Sequence, residues 1–185
     1  MNIVTGMPGF LAQHDHNLSL WLNRLGEHER LKQTLVQVSR LGDGFLWHVL
    51  ILGLPFVIGR SFVPVSLCLA LTALSGVWIY KRIKAHYRRP RPYRKDPNFL
   101  ARAVALDEYS FPSGHTLHAT AFLFVFAMTS PMLAILFAPF AIATAVSRVI
   151  LGMHYVSDVF AGAVVGVAVA GFWLAALSNL DFLSL

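Results

Sequence analysis

Residues 116–147 read TLHATAFLFVFAMTSPMLAILFAPFAIATAVS and contain no Asp, Glu, Lys or Arg. The stretch is longer than the roughly 20 apolar residues that cross a ~30 Å hydrocarbon core as one helix. Ser130-Pro131 interrupts it near its middle, and a proline cannot continue a helix that precedes it. The stretch therefore predicts two antiparallel membrane-spanning helices that are joined by a tight turn.

Three more stretches without Asp, Glu, Lys or Arg surround this pair: residues 44–59, 61–80 and 159–180. The last two are long enough to cross a bilayer, and the first is shorter. We therefore predict an all-α fold, a polytopic membrane helix bundle with about five transmembrane helices. The composition agrees, because 56% of the 185 residues are apolar, whereas soluble domains contain roughly 45–50%. A disordered chain is excluded, since it needs low hydrophobicity and high net charge.

The N-terminal stretch has a different pattern. Leu18, Trp21 and Leu25 recur at helical spacing, and charged residues lie on the faces between them. Helices of this kind lie on a membrane surface rather than cross it. We predict two parts: an interfacial amphipathic segment at residues 1–43, and a membrane domain at residues 44–185 with its active-site loop at residues 81–112.

Positive charge is concentrated in one part of the chain. The net charge is +6, and nine of the fifteen Lys and Arg residues fall between Lys81 and Arg102. Such a concentration attracts anions, including phosphate of any kind. Nucleic acid is not predicted as a partner, because the basic residues are not spread over a soluble face. The single cysteine, Cys68, lies among Leu and Ala and is predicted to pack in the apolar interior.

The alternation of the predicted helices brings the polar residues to one face of the membrane. The second helix ends near Lys81, the third begins near Ser113, the fourth ends near Arg148, and the fifth begins near His154. Each polar cluster alone has a simpler explanation: a topology signal or lipid contact, a helix cap, or a helix-surface pair. Together they place ionisable residues at membrane depth, which is typical of a functional site. The three clusters are residues 84–92 (KAHYRRPRP), residues 112–115 (PSGH), and Ser147-Arg148 with His154 and Asp158.

The residue types in these clusters suit the binding of a phosphoryl group. Lys84, Arg91 and Arg148 supply three cations for its oxygens, and arginine can bind phosphate bidentately. Ser113 is placed to cap the helix that follows it. The free backbone N–H groups from Gly114 onward then point at an anion, assisted by the helix dipole. We therefore predict phosphate binding by these five residues.

The remaining residues suit catalysis. His154 with Asp158 one turn later is typical of a nucleophile whose tautomer a carboxylate fixes. His115 is a second imidazole and is predicted to act as the general acid for the leaving oxygen. No carboxylate cluster offers a Mg²⁺ site, so we predict a metal-independent and cofactor-free reaction through a phosphohistidine. The only carboxylates near the clusters are Asp96, Asp107 and Glu108.

The three motifs resemble the signatures of the type 2 phosphatidic acid phosphatases, which are membrane lipid phosphate phosphatases. Lys-x6-Arg-Pro, Pro-Ser-Gly-His and Ser-Arg-x5-His-x3-Asp match at all eleven specified positions, in order and spacing. The resemblance implies that the chain is a hydrolase acting on undecaprenyl diphosphate, phosphatidic acid or phosphatidylglycerophosphate. The short chain and surface-lying N-terminal segment are most similar to the bacterial undecaprenyl diphosphate phosphatases of this family. The vanadium haloperoxidases share the family's core, but they are soluble, and five apolar spans argue against that branch.

One alternative concerns the first motif, because Arg82-x6-Arg89-Pro90 has the same pattern two residues earlier. We prefer the alignment that starts at Lys84, since it contains the lysine. Gly162 and Gly166 form a small-xxx-small pattern, which predicts close helix packing within the bundle or in a homodimer.

Two alternative functions use the same residues. A lipid phosphotransferase would pass the phosphoryl group to another lipid. A non-enzymatic anion-binding membrane protein, such as a transporter, would not need His154 held by Asp158. In each case the predicted partners are lipid phosphates and membrane lipids.

The side of the membrane that carries the clusters receives two conflicting indications. Arg60 alone lies on the opposite face, and the positive-inside rule would therefore make the face with the other Lys and Arg residues cytoplasmic. The resemblance instead implies the outer face, where lipid carriers are recycled. We predict a bacterial inner-membrane protein with its active site on the outer face.

Overall fold

The computed structural model describes residues 9–180, and within these residues it consists of helices without a β-strand. The all-α prediction is therefore confirmed. The eight helices of the described part are α1 (Gly9–Leu25), α2 (Glu29–Leu41), α3 (Phe45–Val57), α4 (Val63–Tyr87), α5 (Pro92–Lys95), α6 (Gly114–Thr129), α7 (Pro131–Ile150) and α8 (Val156–Ser178). A 3-10 turn over Arg60–Phe62 leads into α4.

The long uncharged stretch folds as two helices, as predicted. α6 ends at Thr129 and α7 begins at Pro131, because the proline ring fits the first turn of a helix and lacks the N–H that an interior position needs. α6 forms the centre of the bundle and packs against α4, α7 and α8. Leu117, Phe122 and Val125 on α6 are fully buried, so this helix is covered by its neighbours.

Three helical segments are long and apolar enough to cross a membrane: Arg60–Tyr87, Pro131–Ile150 and Val156–Ser178. The pair formed by α2 and α3 would add a fourth if it counted as one span, although its two helices meet at a bend of 57°. α6 has 16 residues and is therefore about 24 Å long, less than the hydrocarbon thickness. The count of five transmembrane helices stays a prediction.

The glycines of α8 are used inside the bundle. A Cβ atom on Gly162 would overlap the carbonyl oxygen of Ser113, and a Cβ atom on Gly166 would overlap that of Leu117. Both glycines therefore let the backbones of α6 and α8 approach closely within one chain. The predicted homodimer through Gly162 and Gly166 is not supported, because α6 of the same chain occupies the face that they share.

α1 turns its polar side to the protein and its apolar side outward. Asp15, Ser19 and Asn23 are one helical turn apart and buried, whereas Leu18 and Trp21 are exposed. The three buried side chains hydrogen-bond to the ends of α7 and α8 and to the segment between α5 and α6. The outward apolar face suits a helix that lies on a membrane surface.

Candidate active site

A cavity of about 450 Å³ lies between α3, α4 and the N-terminal end of α6. One end is polar and contains Lys84, Arg91 and His154. The rest is an apolar arm whose mouth lies at Leu52 and Leu74, and both of these residues are largely exposed on the outside of the bundle. The arm is lined by Trp47, Ile51, Leu52, Ala70, Ala73, Leu74 and Val77.

Three buried cations meet at the polar end. Lys84 comes from the last turn of α4, Arg91 from the segment that follows it, and Arg148 from the last turn of α7. Lys84 Nζ and Arg91 Nη2 donate to the same oxygen, Asp107 Oδ1, at 2.7 and 2.8 Å. Arg148 donates through Nη1 to the hydroxyl of Ser39, and its Nε has no hydrogen-bond partner among the described residues. Asp107 contacts two of these cations, and Asp43, the other carboxylate that lines the cavity, bonds to His115, so positive charge exceeds negative charge at this end and attracts an anion.

His154 lies on the short loop between α7 and α8, facing these cations. Gly152 has a φ of 75°, a conformation that favours glycine, and this turn brings the loop back across the end of α7. The N–H of His154 donates to Arg148 O at 3.0 Å, which fixes the loop there. The Nε2 atom lies 3.4 Å from Arg91 Nη1.

The surroundings of His154 favour its neutral form. Burial, followed by the positive charges of Arg91, Arg148 and Lys84, holds the pKa of the imidazole well below its usual value of 6.5. A neutral imidazole keeps a free lone pair on one ring nitrogen, which is the state that a nucleophile needs. His154 is therefore placed to attack a group that the cations hold.

Asp158 is buried next to His154, but its carboxylate oxygens accept hydrogen bonds from other groups. Its Oδ1 accepts from Arg89 Nη1 at 2.6 Å, and its Oδ2 accepts from the N–H of Tyr155 at 2.9 Å. Oδ2 lies 3.7 Å from Nδ1 of His154, and Nδ1 has no hydrogen-bond partner among the described residues. The pair predicted from the spacing is thus adjacent, at a distance longer than a hydrogen bond.

Arg89 was not predicted as a site residue, and the structure places it directly behind Asp158. Its Nη2 also donates to Asp15 Oδ2 on α1 at 2.8 Å, and its guanidinium lies 4.0 Å from the ring centroid of Tyr155. Burial opposes its charge, yet the carboxylates of Asp158 and Asp15 raise its pKa above the ordinary value. The sequence does contain a signal for Arg89, because this residue belongs to the second match to the first motif, Arg82-x6-Arg89-Pro90.

Asp43 is another residue that the sequence analysis missed. It lies in the break between α2 and α3, where Gly44 adopts a φ of 138°. The Nε2 atom of His115 donates to Asp43 Oδ1 at 2.7 Å. The second predicted imidazole therefore has a carboxylate partner, supplied by the N-terminal segment.

The N-terminus of α6 points at the same cavity. Ser113 accepts at Oγ from the N–H of Thr116, so its predicted role as N-cap is confirmed. Ser113 itself is fully buried behind the cavity, whereas Gly114 and His115 line it. Phosphate binding by Ser113 stays a prediction.

The structure brings most of the predicted site residues to one place. The cavity is lined by Lys84, Arg91, Gly114, His115, Arg148 and His154. Arg82 is exposed over the ring of Trp78 on the outer side of α4, so the alignment that starts at Lys84 is the one that faces the cavity. In residues 9–180, no three His, Cys, Asp or Glu side chains are grouped in a way that could hold a metal ion.

Comparison with known proteins gives one family. The family model described as the PAP2 superfamily matches residues 64–181. The probable lipid phosphate phosphatase beta of Arabidopsis thaliana is 35% identical over 143 residues, or 62% of this chain and 65% of that protein. The lipid A 1-phosphatase of Rhizobium johnstonii is 38% identical over 73 residues, or 40% of this chain and 28% of that protein. The matches thus span less than two thirds of the length of these relatives.

Two solved structures share the fold. The transmembrane PAP2 type phosphatidylglycerolphosphate phosphatase of Bacillus subtilis superposes with a TM-score of 0.75 at 21% identity, covering 93% of this chain and 88% of that one. LpxE of Aquifex aeolicus gives a TM-score of 0.72 at 22% identity, covering 86% of this chain and 93% of that one. The family resemblance seen in the sequence is confirmed, and the apolar helices together with this fold support an integral membrane protein.

Proposed function

The chain belongs to the PAP2 superfamily, and on this premise we propose that it hydrolyses a lipid phosphate or lipid diphosphate through a phosphohistidine on His154. The observation that carries the proposal is the position of His154. It faces three buried cations at the polar end of a cavity whose other end is apolar and reaches the outside of the bundle. This arrangement suits a molecule with a phosphate at one end and a hydrocarbon chain at the other.

Binding replaces an internal anion with the anion of the substrate. Lys84 and Arg91 share the carboxylate of Asp107, whose side chain is 38% exposed. A phosphate dianion is a stronger partner for these cations than one carboxylate, and Arg148 and the N–H groups at the start of α6 add further donors. The hydrocarbon chain then lies in the apolar arm between α3 and α4.

The first chemical step forms a bond from Nε2 of His154 to phosphorus and breaks the bond from phosphorus to the lipid oxygen. Protonated His115 gives its Nδ1 proton to that oxygen while Nε2 keeps its bond to Asp43, so the lipid leaves as an alcohol, or as a lipid monophosphate when the substrate is a diphosphate. Asp43 holds the ring of His115 during this transfer. Lys84, Arg91 and Arg148 stabilise the charge on the oxygens that remain on phosphorus.

The second step releases phosphate. Water attacks phosphorus, the bond to Nε2 of His154 breaks, and His115 takes up the proton that the water loses. The products are orthophosphate and the free imidazole. The three side-chain cations supply the charge that a metal would provide elsewhere, so the proposed reaction needs no metal ion.

The substrates to examine first are undecaprenyl diphosphate, phosphatidic acid and phosphatidylglycerophosphate. The proposed setting is a bacterial inner membrane, with the cavity opening toward the outer leaflet. The names of the curated relatives and of the Bacillus subtilis structure support the lipid phosphate class, because each of these proteins is itself called a phosphatase.

The test measures orthophosphate release from purified protein on this panel of lipids, in excess EDTA. His154→Ala should lower the rate by roughly 10⁴-fold or more, because the proposed covalent intermediate forms on its imidazole. His86→Ala is the matched control, since His86 is an exposed histidine near the end of α4 that does not line the cavity. Near-normal turnover by His154→Ala, or a strict Mg²⁺ requirement, would contradict the proposal.

A further inference from the structure

A second cavity lies beside the catalytic one. It has a volume of about 480 Å³ and is enclosed by α2 on one side and residues 101–106 on the other. Three basic side chains line it: Lys32 and Arg40 from α2, and Arg102 from the facing segment. Asp43 is the only carboxylate among the lining residues. We call this space the α2 cleft.

The positive charge in the α2 cleft is poorly compensated. Arg40 and Arg102 form no ion pair with any carboxylate in residues 9–180, and Lys32 pairs only with the exposed Glu29 on its own helix, at 2.6 Å. Asp43 is already the partner of His115. Burial lowers the pKa of Arg102 although the charge of Glu27 opposes the effect, so burial outweighs the compensation that this carboxylate provides.

The two cavities share a wall that is one layer of side chains thick. Asp43 and Leu106 line both of them. Ser39 lines the α2 cleft, and its hydroxyl accepts a hydrogen bond from Arg148 in the catalytic cavity. An anion in the α2 cleft would therefore lie next to the phosphate that His154 attacks.

The rim of the α2 cleft is apolar and exposed. Val104 and Leu106 on the facing segment line the cleft and are both largely exposed. Apolar side chains around a basic cleft suit the boundary between hydrocarbon and water, where phosphate groups of lipids lie. The cleft therefore combines the charge and the surroundings that a phosphate at this boundary needs.

We propose that the α2 cleft is a second anion site, which binds a phosphate group other than the one that His154 attacks. Two sources share this chemistry: a second phosphate on the headgroup of the lipid substrate, and the orthophosphate that hydrolysis releases on its way to water. The cleft itself is a feature of the fold, whereas both sources rest on the proposed phosphatase function.

The first experiment counts bound phosphate without turnover. Equilibrium dialysis with radiolabelled orthophosphate is performed on the full chain carrying His154→Ala, so that no covalent phosphate forms. We expect two phosphates per chain. Adding Lys32→Gln and Arg40→Gln should remove one of them, because both lost cations line the cleft and the exposed side chain of Arg40 bonds to no described residue.

The matched control carries Arg24→Gln and Arg30→Gln instead. These arginines are exposed on α1 and α2, lie outside the α2 cleft and give the same change in net charge. The control should retain two phosphates per chain. A single phosphate in the parent protein, or equal losses in the cleft variant and the control, would overturn the proposal whether or not the protein is a phosphatase.

The second experiment identifies the source by kinetics, with His154 intact. One lipid carries a single phosphate and the other carries an additional phosphate on its headgroup. If the headgroup is the source, Lys32→Gln with Arg40→Gln should raise KM for the second lipid about tenfold more than for the first, and high salt should reduce the difference. If orthophosphate is the source, the KM ratio should stay constant and product inhibition by orthophosphate should weaken severalfold. A variant that changes neither quantity would overturn both assignments.

Discussion

Arg89 and Arg91 are two residues apart and both are buried, yet their electrostatic surroundings are opposite. Arg89 contacts the carboxylates of Asp15 and Asp158, at 2.8 and 2.6 Å, so two negative charges surround one positive charge. Arg91, two residues later, lines the cavity instead. There, Lys84 and Arg91 share the carboxylate of Asp107, and Arg148 forms no ion pair with any described residue.

The different surroundings indicate different roles: Arg89 supports the site, whereas Arg91 is available to bind the substrate. A buried cation with more than enough negative partners is held in place, and breaking such a group leaves an uncompensated charge. A set of buried cations with too little negative charge gains most when an anion arrives. The Arg89 cluster, defined here as Arg89 with Asp15 and Asp158, therefore supports the loop of His154. The cavity cations, defined as Lys84, Arg91 and Arg148, are left available for phosphate.

The largest effect is expected from Arg91→Gln. The variant should lower kcat/KM for a lipid monophosphate by roughly 10²–10³-fold, because a donor to the transferred phosphoryl group is lost. The melting temperature in detergent should fall less than in Arg89→Gln, because relief of repulsion among the cavity cations offsets part of the lost bonds from Arg91 to Met153 and Asp107. The control is Arg94→Gln, which removes an exposed arginine whose only ion pair within residues 9–180, to Glu108, has a distance of 3.6 Å. Full activity in Arg91→Gln would contradict the comparison.

Arg89→Gln should instead lower the stability of the protein more than its activity. Loss of the shared cation leaves the carboxylates of Asp15 and Asp158 close together and buried, which costs about 3 kcal/mol of stability. We expect a clear fall in melting temperature and a smaller loss of kcat/KM than in Arg91→Gln, about tenfold, because Asp158 keeps its bond from the N–H of Tyr155. Asp15→Asn added to Arg89→Gln should restore part of the stability. A stable but inactive Arg89→Gln protein would assign Arg89 to phosphate binding instead.

The comparison also shows which parts of the site a sequence can predict. The break at Ser130-Pro131 and the ends of the long helices follow from local patterns, since proline and uncharged length act on a few neighbouring residues. The spacing of Lys84, Arg91 and His154 was likewise informative, because helix ends that alternate across a membrane must meet. These are features whose physical cause lies within one or two helices.

The missed residues have distant causes. Asp43 pairs with His115 across 72 residues of sequence, and Asp15 pairs with Arg89 across 74. No periodic pattern in the sequence predicts a contact between residues so far apart. The pattern of α1 indicated its apolar face but could not show that its polar face is the buried one. The glycine pattern on α8 predicted close packing without telling which helix supplies the partner.

A third prediction concerns pH. His154 must be neutral to attack, so kcat/KM falls when pH drops through its pKa, and the buried position among cations holds that pKa well below 6.5. Wild-type protein should therefore stay active at acid pH. Arg91→Gln removes the nearest positive charge, which should raise the pKa of His154 and move the acid limb to higher pH. Both proteins are measured on the same lipid, so ionisation of the substrate cancels. If the acid limb of the pH profile did not move, the pKa of His154 would not depend on the charge of Arg91.

The smallest effect is expected from Asp107→Asn. Lys84 and Arg91 both donate hydrogen bonds to this carboxylate, so the substrate phosphate has to displace it. Removing its charge should lower KM about threefold while kcat stays the same, because the competitor is lost and the transition state is unchanged. Glu108→Gln is the control, since Glu108 is an exposed neighbour that, among the described residues, forms an ion pair only with Arg94. The opposite result, a higher KM together with a lower kcat, would show that Asp107 holds the cations in their working positions. Asp107 would then have the same supporting role as the carboxylates of the Arg89 cluster, although it lines the cavity.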